Sequence, residues 1–314
     1  MTGVLVRRIA GAVPLLALIT LIVFSLILIV PGDPALLVAG ESATPEDLAA
    51  IRRSLGLDDP LWEQYWRWVS GAARGDLGTS IYSSQPVAAS ILRALPVTAS
   101  LAALALLVGI LGGLAAGTIA GIRPGTWLDR LVTTISSLGV AVPHFWIGMV
   151  LLSLLSFQTG WLPFGGYVPF AENPWEWLRH LILPALALGA SVAAEIARQS
   201  RASLTNVMGQ DYIRSAYAKG LSQFDIIGRH AMKNAAVPVV TVLGLQFNRL
   251  FSSAVVIEQV FSLPGIGRLS LQSVFDRDFP MIQGIVLFAA VAVVLTSLLV
   301  DLSYTYFSPK VRQG

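Results

Sequence analysis

None of the 314 residues is cysteine, which excludes disulfides and thiolate metal sites and leaves the redox compartment unmarked. Charge is scarce too: Asp, Glu, Lys and Arg make up 12% of the chain, where soluble domains carry about a quarter. The three histidines, His144, His180 and His230, are too far apart to share a metal-ligand spacing, so no metal site is expected. Walker A sequence, phosphate-cradling glycine loop and nucleophile–base constellation are all missing. The chain therefore carries no energy source and no covalent chemistry of its own. Carboxylates at mid-depth of the apolar segments and an internal repeat of broken helices, both expected of an ion-coupled carrier, are also absent.

What is present is apolar sequence, 55% of residues with a mean hydropathy of +0.71, as expected of a chain that lives in lipid. A pI near 9.4 arises from a net charge of only +3. Its cations are scattered between apolar blocks, which fits membrane topology and excludes a nucleic-acid partner. Stretches near residues 9–30, 97–121, 132–157, 181–200, 235–257 and 281–306 are each long enough to cross about 30 Å of hydrocarbon at roughly 1.5 Å per residue. An all-α polytopic membrane protein with six transmembrane helices is expected. Arg7 and Arg8 before the first stretch resemble the start of a signal peptide, but the apolar run exceeds an h-region and ends in Pro31-Gly-Asp-Pro34, which favours an uncleaved helix.

With the N-terminus in the cytoplasm, short inner segments hold Arg7, Arg8, Arg123, Arg130, Arg198, Arg201, Arg214, Lys219, Arg229, Lys233, Lys310 and Arg312. The outer segments are longer and carry Asp58, Asp59, Asp76, Glu172, Glu176, Asp276 and Asp278 among their cations, in keeping with positive-inside asymmetry. An even number of spans places both termini inside. In the external segment 31–95, Thr44 with Asp47 three residues on starts a short helix, and Trp62, Tyr65, Trp66 and Trp68 follow at helical spacing. An interfacial aromatic belt is the favoured reading of these rings, with a ligand-binding aromatic box as the alternative.

Gly109, Gly113, Gly117 and Gly121 line one face of the second span, and Ala185, Gly189, Ala193 and Ala197 one face of the fourth. Small residues at i and i+4 permit close backbone approach in lipid, so these are packing seams, within the chain or toward another subunit. Glu195 is placed to pair with Arg198. Ionisable groups at depth reduce to His144 and Arg249. Arg249 either faces a water-filled path or snorkels to the interface, and His144 either lines that path or packs.

The polar hinge between the fourth and fifth spans runs Asp211-Tyr-Ile-Arg-Ser-Ala-Tyr-Ala-Lys-Gly220 and on through Arg229 and His230 to Asn234. It reads as two short helices broken at Gly220, which is placed for a left-handed C′ conformation, with Ser222 capping the second.

This hinge resembles the cytoplasmic EAA loop of permease subunits of bacterial ATP-binding-cassette importers, more closely the dipeptide and oligopeptide branch of the DppB and OppB kind. Arg214-Ser-Ala216 stands for Glu-Ala-Ala, followed by Gly220 and His230-Ala-Met-Lys233. Arg214 replaces the signature Glu, and His230 and Lys233 replace Ile and Pro, departures that match the peptide branch. Leu55-Gly-Leu-Asp58, Gly75-Asp-Leu-Gly78, Leu95-Pro-Val-Thr98, Trp161-Leu-Pro163, Val255-Val-Ile-Glu258, Phe261-Ser-Leu-Pro-Gly-Ile-Gly-Arg268 and Asp301-Leu-Ser-Tyr304 extend the resemblance over nearly the full length. Asn248-Arg249, His144 and Ser308-Pro-Lys310 depart from it.

The resemblance implies a type I ABC importer-like transmembrane domain in three parts: an N-terminal helix 1–30, the external segment 31–95, and a five-helix permease core 96–314 carrying the coupling loop 205–234. It implies an inner-membrane subunit that imports peptides or a similar small solute by alternating access. Expected partners are membrane lipid, a second homologous permease, two cytoplasmic ATPase subunits that bind the ATP and Mg²⁺, and an external substrate-binding protein. The chain itself would hold no cofactor and perform no chemical step. Arg214, Ser215, Ala216, Lys219, Gly220 and His230 become candidates for ATPase coupling. Glu258, Pro264, Gly265 and Asp278 become candidates for an outer gate or docking surface, with His144 and Arg249 as candidate path residues. The rival reading is a stand-alone channel or ion-coupled carrier.

Overall fold

The structure, a computed structural model, describes residues 2–29, 34–39 and 43–307. Pro31-Gly-Asp33, Ser308-Pro-Lys310 and Arg312 lie outside the described residues, as do the side chains of Arg7, Arg8, Lys233, Asn248 and Asp301. Thirteen α-helices are described: α1 Thr2–Ile29, α2 Pro34–Ala39, α3 Pro45–Leu55, α4 Leu61–Ala73, α5 Val87–Ile122, α6 Trp127–Ala141, α7 His144–Leu152, α8 Pro174–Met208, α9 Asp211–Ala218, α10 Gln223–Asp225, α11 Met232–Val260, α12 Ile266–Phe275 and α13 Phe279–Phe307. π-Helical segments Ser153–Gln158 and Ile226–Ala231 follow α7 and α10.

Among the described residues α5, α8 and the Phe279–Leu298 part of α13 are long and apolar enough to span a bilayer. The bent pair α6–α7 makes a fourth crossing if it counts as one. The other two expected crossings fall on α1, with a shorter apolar stretch Ala10–Ser25, and on the 29-residue α11. The expected continuous span 132–157 is instead two helices bent by 99°. Pro143 disfavours helical backbone at the residue before it, and Val142 is accordingly extended at φ −78°, ψ 127°.

The chain divides into two compact units, residues 1–95 with 269–298 and residues 96–268 with 299–314. In the first, Thr44 caps α3 as expected: the Asp47 N–H donates to Thr44 Oγ1 at 3.2 Å and the Thr44 N–H to Asp47 Oδ2 at 3.1 Å. Hydrogen bonds from the Thr44 hydroxyl and N–H hold the Asp47 carboxyl below its ordinary pKa. The aromatic run of α4 splits by face. Tyr65 and Trp68 pack on Phe24 of α1, with ring centroids 5.5 and 6.5 Å away, and Tyr65 OH lies 2.9 Å from Thr20 Oγ1. Trp62 and Trp66, one turn apart on the other face, are two-thirds exposed and are the part of the run free to form a belt.

The second unit is built on α8. Its core joins Leu101 of α5, Leu181, Leu188 and Ile196 of α8, Leu250 and Ile257 of α11, and Phe261 just beyond, all essentially without exposed surface. The two expected seams meet each other inside the chain. A Cβ on Gly113 would sit 2.7 Å from the Ala193 carbonyl oxygen, one on Gly117 2.5 Å from that of Ala197, and one on Gly189 2.7 Å from that of Ala105. Only glycine lets the two backbones come this close. Gly113→Val should therefore cost about 1–3 kcal/mol or more by overpacking, read as a lower unfolding midpoint of the detergent-solubilised chain. An unchanged midpoint would mean that the seam contributes nothing to stability.

Candidate functional site

The loop after α8 is seated by an apolar face and leaves a polar and aromatic face open. Ile213 and Ala216, three residues apart on α9, are buried against Leu204, Ile226, Ala231 and Ala235. α9 ends in a Schellman arrangement: the Gly220 N–H donates to the Tyr217 carbonyl at 2.9 Å and the Leu221 N–H to the Ala216 carbonyl at 3.3 Å. That closure needs a left-handed residue at 220, and Gly220 has φ +76°. Ser222 Oγ accepts from the Asp225 N–H at 3.1 Å and starts α10, and Asn234 Nδ2 donates to Tyr212 OH at 2.9 Å and to the His230 carbonyl at 3.1 Å.

Of the candidate coupling residues, Arg214, Ser215, Lys219, Gly220 and His230 are exposed. Ala216 points inward and seats the helix. The reading by residue type missed Tyr212, Tyr217, Leu221 and Phe224, which are exposed around the same elbow, Phe224 by 87%. The available signal was large apolar side chains in an otherwise polar segment. Arg214 lies 3.4 Å from Asp211 and Arg229 3.7 Å from Asp225, both pairs solvent-facing and worth well under about 1 kcal/mol, so the two guanidinium groups stay available to a partner.

Two turns before the end of α8, Arg201 makes a bidentate ion pair with Asp129 of α6. Its Nη2 is 2.9 Å from Asp129 Oδ2, its Nε contacts Oδ1, and the Gly125 N–H adds a third donor at 2.8 Å. Asp129 is 4% exposed. The sequence reading used Arg201 only as topology charge, since nothing local links it to a carboxylate 72 positions away.

At the opposite end of α8, the 261–265 loop and the first turn of α12 are wrapped around Glu258, which has no exposed surface. The Thr98 hydroxyl donates to Glu258 Oε1 at 2.6 Å, the Arg268 N–H to Oε2 at 2.9 Å, and the Gly267 N–H adds a further bond. Thr98 Oγ1 in turn accepts from the Ile266 N–H at 2.8 Å. Gly265 packs on the carboxyl so closely that a Cβ would lie 2.5 Å from Oε2. Pro264 is exposed. In the other unit Asp278 is likewise buried: its carboxylate accepts from the Ser80 hydroxyl, from the Ile81 N–H at 3.2 Å and from the Met281 N–H at 3.3 Å. Both carboxyls thus hold loops in place within their own units.

His144 opens α7 directly after Pro143, half-buried, with its ring turned toward the Ser253 backbone. Arg249 is exposed on α11. No hydrogen bond among the described residues brings the two together. Glu195 pairs with Arg198 as expected, at 2.9 and 2.7 Å. Glu258→Ala would orphan the Thr98 hydroxyl and two backbone N–H groups at about 1–3 kcal/mol each. Glu195→Ala breaks a pair whose arginine is 60% exposed and should cost under about 1 kcal/mol. Unfolding midpoints of the two variants check the contrast, and equal losses would contradict it.

Residues 109–313 match the family described as Binding-protein-dependent transport system inner membrane component, and residues 1–102 match its membrane-component N-terminal family. A Brucella abortus (strain 2308) protein named as a peptide transport system permease is 43% identical over 312 residues, 99% of both chains. The glutathione transport system permease GsiC of Escherichia coli (strain K12) is 40% identical over 312 residues, again 99% of both. The fold is that of ABC importer transmembrane domains. An inward-facing structure of the MetNI methionine ABC transporter aligns with TM-score 0.54 at 18% identity over 69% of this chain and 96% of that one. An amino acid ABC transporter solved with histidines aligns with TM-score 0.53 at 19% identity over 69% and 94%.

Proposed function

Because the chain belongs to the family of binding-protein-dependent transport system inner membrane components, we propose that it forms one half of an importer's translocation path, with the exposed face of α9 as its contact to an ATPase. The observation that carries the second part is the division of α9 into an anchored face and an open one. Ile213 and Ala216 fix the helix to α8 and α11, while Arg214, Tyr217 and Lys219 of the same element, with Phe224 beyond the elbow, remain uncovered. A helix held in this way transmits a push rather than absorbing it. ATP binding and closure by partner ATPases, which hold the nucleotide and Mg²⁺, displace α9, α8 and α11 as a body and bias the bundle between its access states. The chain performs no chemical step on the solute.

The remaining partners in this reading are a second homologous permease and an external substrate-binding protein. Both termini lie in the cytoplasm, which the concentration of cations in the short loops on that side supports. Di- and oligopeptides, or a peptide-like thiol such as glutathione, are the substrate class, since relatives named for peptide and for glutathione transport are similar over the full length. The loops held by Glu258 and Asp278 serve the outer gate, with Pro264 as an exposed docking contact. His144 and Arg249 are assigned to the path.

The test is uptake and ATPase co-purification in liposomes. Gly220→Val places a β-branched residue at positive φ, a strain of about 1–3 kcal/mol, and should cut substrate-stimulated ATP hydrolysis at least tenfold while the chain remains folded. Arg214→Glu with Phe224→Ala should reduce ATPase co-purification. Uptake by the chain alone, driven by an ion gradient without an ATPase, would overturn the assignment.

A further inference from the structure

The contact between α6 and α8 is incompletely filled. Ile135 and Gly139 of α6 face Ala190, Ala194 and Ala197 of α8 across a half-open void of about 450 Å³ whose walls are almost wholly hydrocarbon. Small apolar side chains that leave a void do not interlock, so by themselves they let one helix slide along the other. Asp129, in the first turn of α6, supplies what they lack. It is almost fully buried and takes Arg201 of α8 in a bidentate pair, with Nη2 2.9 Å from Oδ2. Among the described residues no other hydrogen bond or ion pair joins the two helices. The backbone of Arg201 is fixed in turn by α5: a Cβ on Gly121 would lie 3.1 Å from the Arg201 carbonyl oxygen and 2.8 Å from Leu204 Cβ.

We propose that Asp129 and Arg201 are positioning residues for transport, the key through which displacement of α8 is passed to the bent pair α6–α7. The inference rests on the reading of α9 as the ATPase contact. Leu204, one turn beyond Arg201, buries Ile213 and Ala216, so the ion pair stands next to the point where α9 bears on α8. α6 in turn runs to the 99° bend at Pro143, and His144 opens α7 directly beyond it. Sliding α6 along α8 by one residue, about 1.5 Å, stretches both guanidinium bonds together and leaves a buried carboxylate uncompensated. The alanine and glycine contacts offer no comparable resistance. They set the distance between the helices, and the pair carries axial motion from α8 into the bend.

The test uses the full chain, purified with the subunits that accompany it and reconstituted in nanodiscs for spectroscopy and in liposomes for uptake. Because the chain has no cysteine, Arg130→Cys on α6 and Asn206→Cys on α8, both exposed, carry spin labels without background from this subunit. In the otherwise unaltered chain the label distance should be the same with and without a non-hydrolysable ATP analogue. Asp129→Asn/Arg201→Met removes both charges and keeps an acceptor for the Gly125 N–H, and here the distance should shift or broaden when the analogue binds. That readout needs no transported solute. The same double variant should keep its unfolding midpoint, since replacing both members of a buried pair costs little. It should nevertheless hydrolyse at least about fivefold more ATP per molecule of labelled dipeptide or glutathione taken up. If it does not fold, Arg201→Lys, which keeps the charge but not the bidentate fork, should show the same shift in smaller measure. A label distance that changes with nucleotide in the parent, or a folded double variant with parental distance and coupling, overturns the role of the pair. Parent complexes that lack an ATPase would instead overturn the reading of α9 on which it rests.

Discussion

Close approach of α5 and α8 is the constraint on which the second unit depends. In a bilayer the surrounding hydrocarbon is as apolar as leucine, so two apolar helices gain little by leaving it for each other. What remains is contact distance, and glycine at four successive turns of α5 lets its backbone come within van der Waals reach of the Ala193 and Ala197 carbonyls. The association depends on the absence of side chains rather than on their presence. Such an interface has little tolerance, because a single added methyl meets backbone atoms that cannot rotate away.

α8, once fixed by that seam, acts as a strut with a polar clamp or loop near each end. Toward its C-terminus Arg201 ties it to the start of α6 through Asp129, and Leu204 supplies the floor under α9. Toward its N-terminus Leu181 and Leu188 share the core with Phe261 and Leu263, the residues from which the glycine-rich loop turns back over Glu258. A buried carboxyl accepting three hydrogen bonds is costly to expose and costly to leave unpaired. It therefore fixes the geometry of the 261–265 loop and the start of α12 more firmly than apolar contacts alone, which tolerate sliding.

Local chemistry was legible in the sequence and distant pairing was not. The left-handed Gly220, the Ser222 and Thr44 caps and the Glu195–Arg198 pair each involve residues within a turn of one another, where residue type and spacing determine the interaction. The seams were visible as stripes, but that they would meet each other rather than a second subunit was not. The break at Pro143 overturned a continuous span because hydropathy averages over a proline whose effect is confined to the preceding residue. Asp129–Arg201 and Thr98–Glu258, 72 and 160 positions apart, depend on the assembled helices and leave no mark in either local segment.

In the proposed coupling role of α9, Ala216 acts without touching a partner. An eight-residue helix is too short to persist by itself in water, so α9 exists because its C-terminus is closed at Gly220 and because Ile213 and Ala216 are buried. The contacts that make α9 a helix are the same ones that attach it to Leu204 of α8 and Ala235 of α11. It cannot shift relative to those two helices without losing the burial that keeps it folded. Displacement of α9 is then either transmitted to α8 and α11 or accompanied by its unfolding, and the two buried side chains make transmission the less costly outcome.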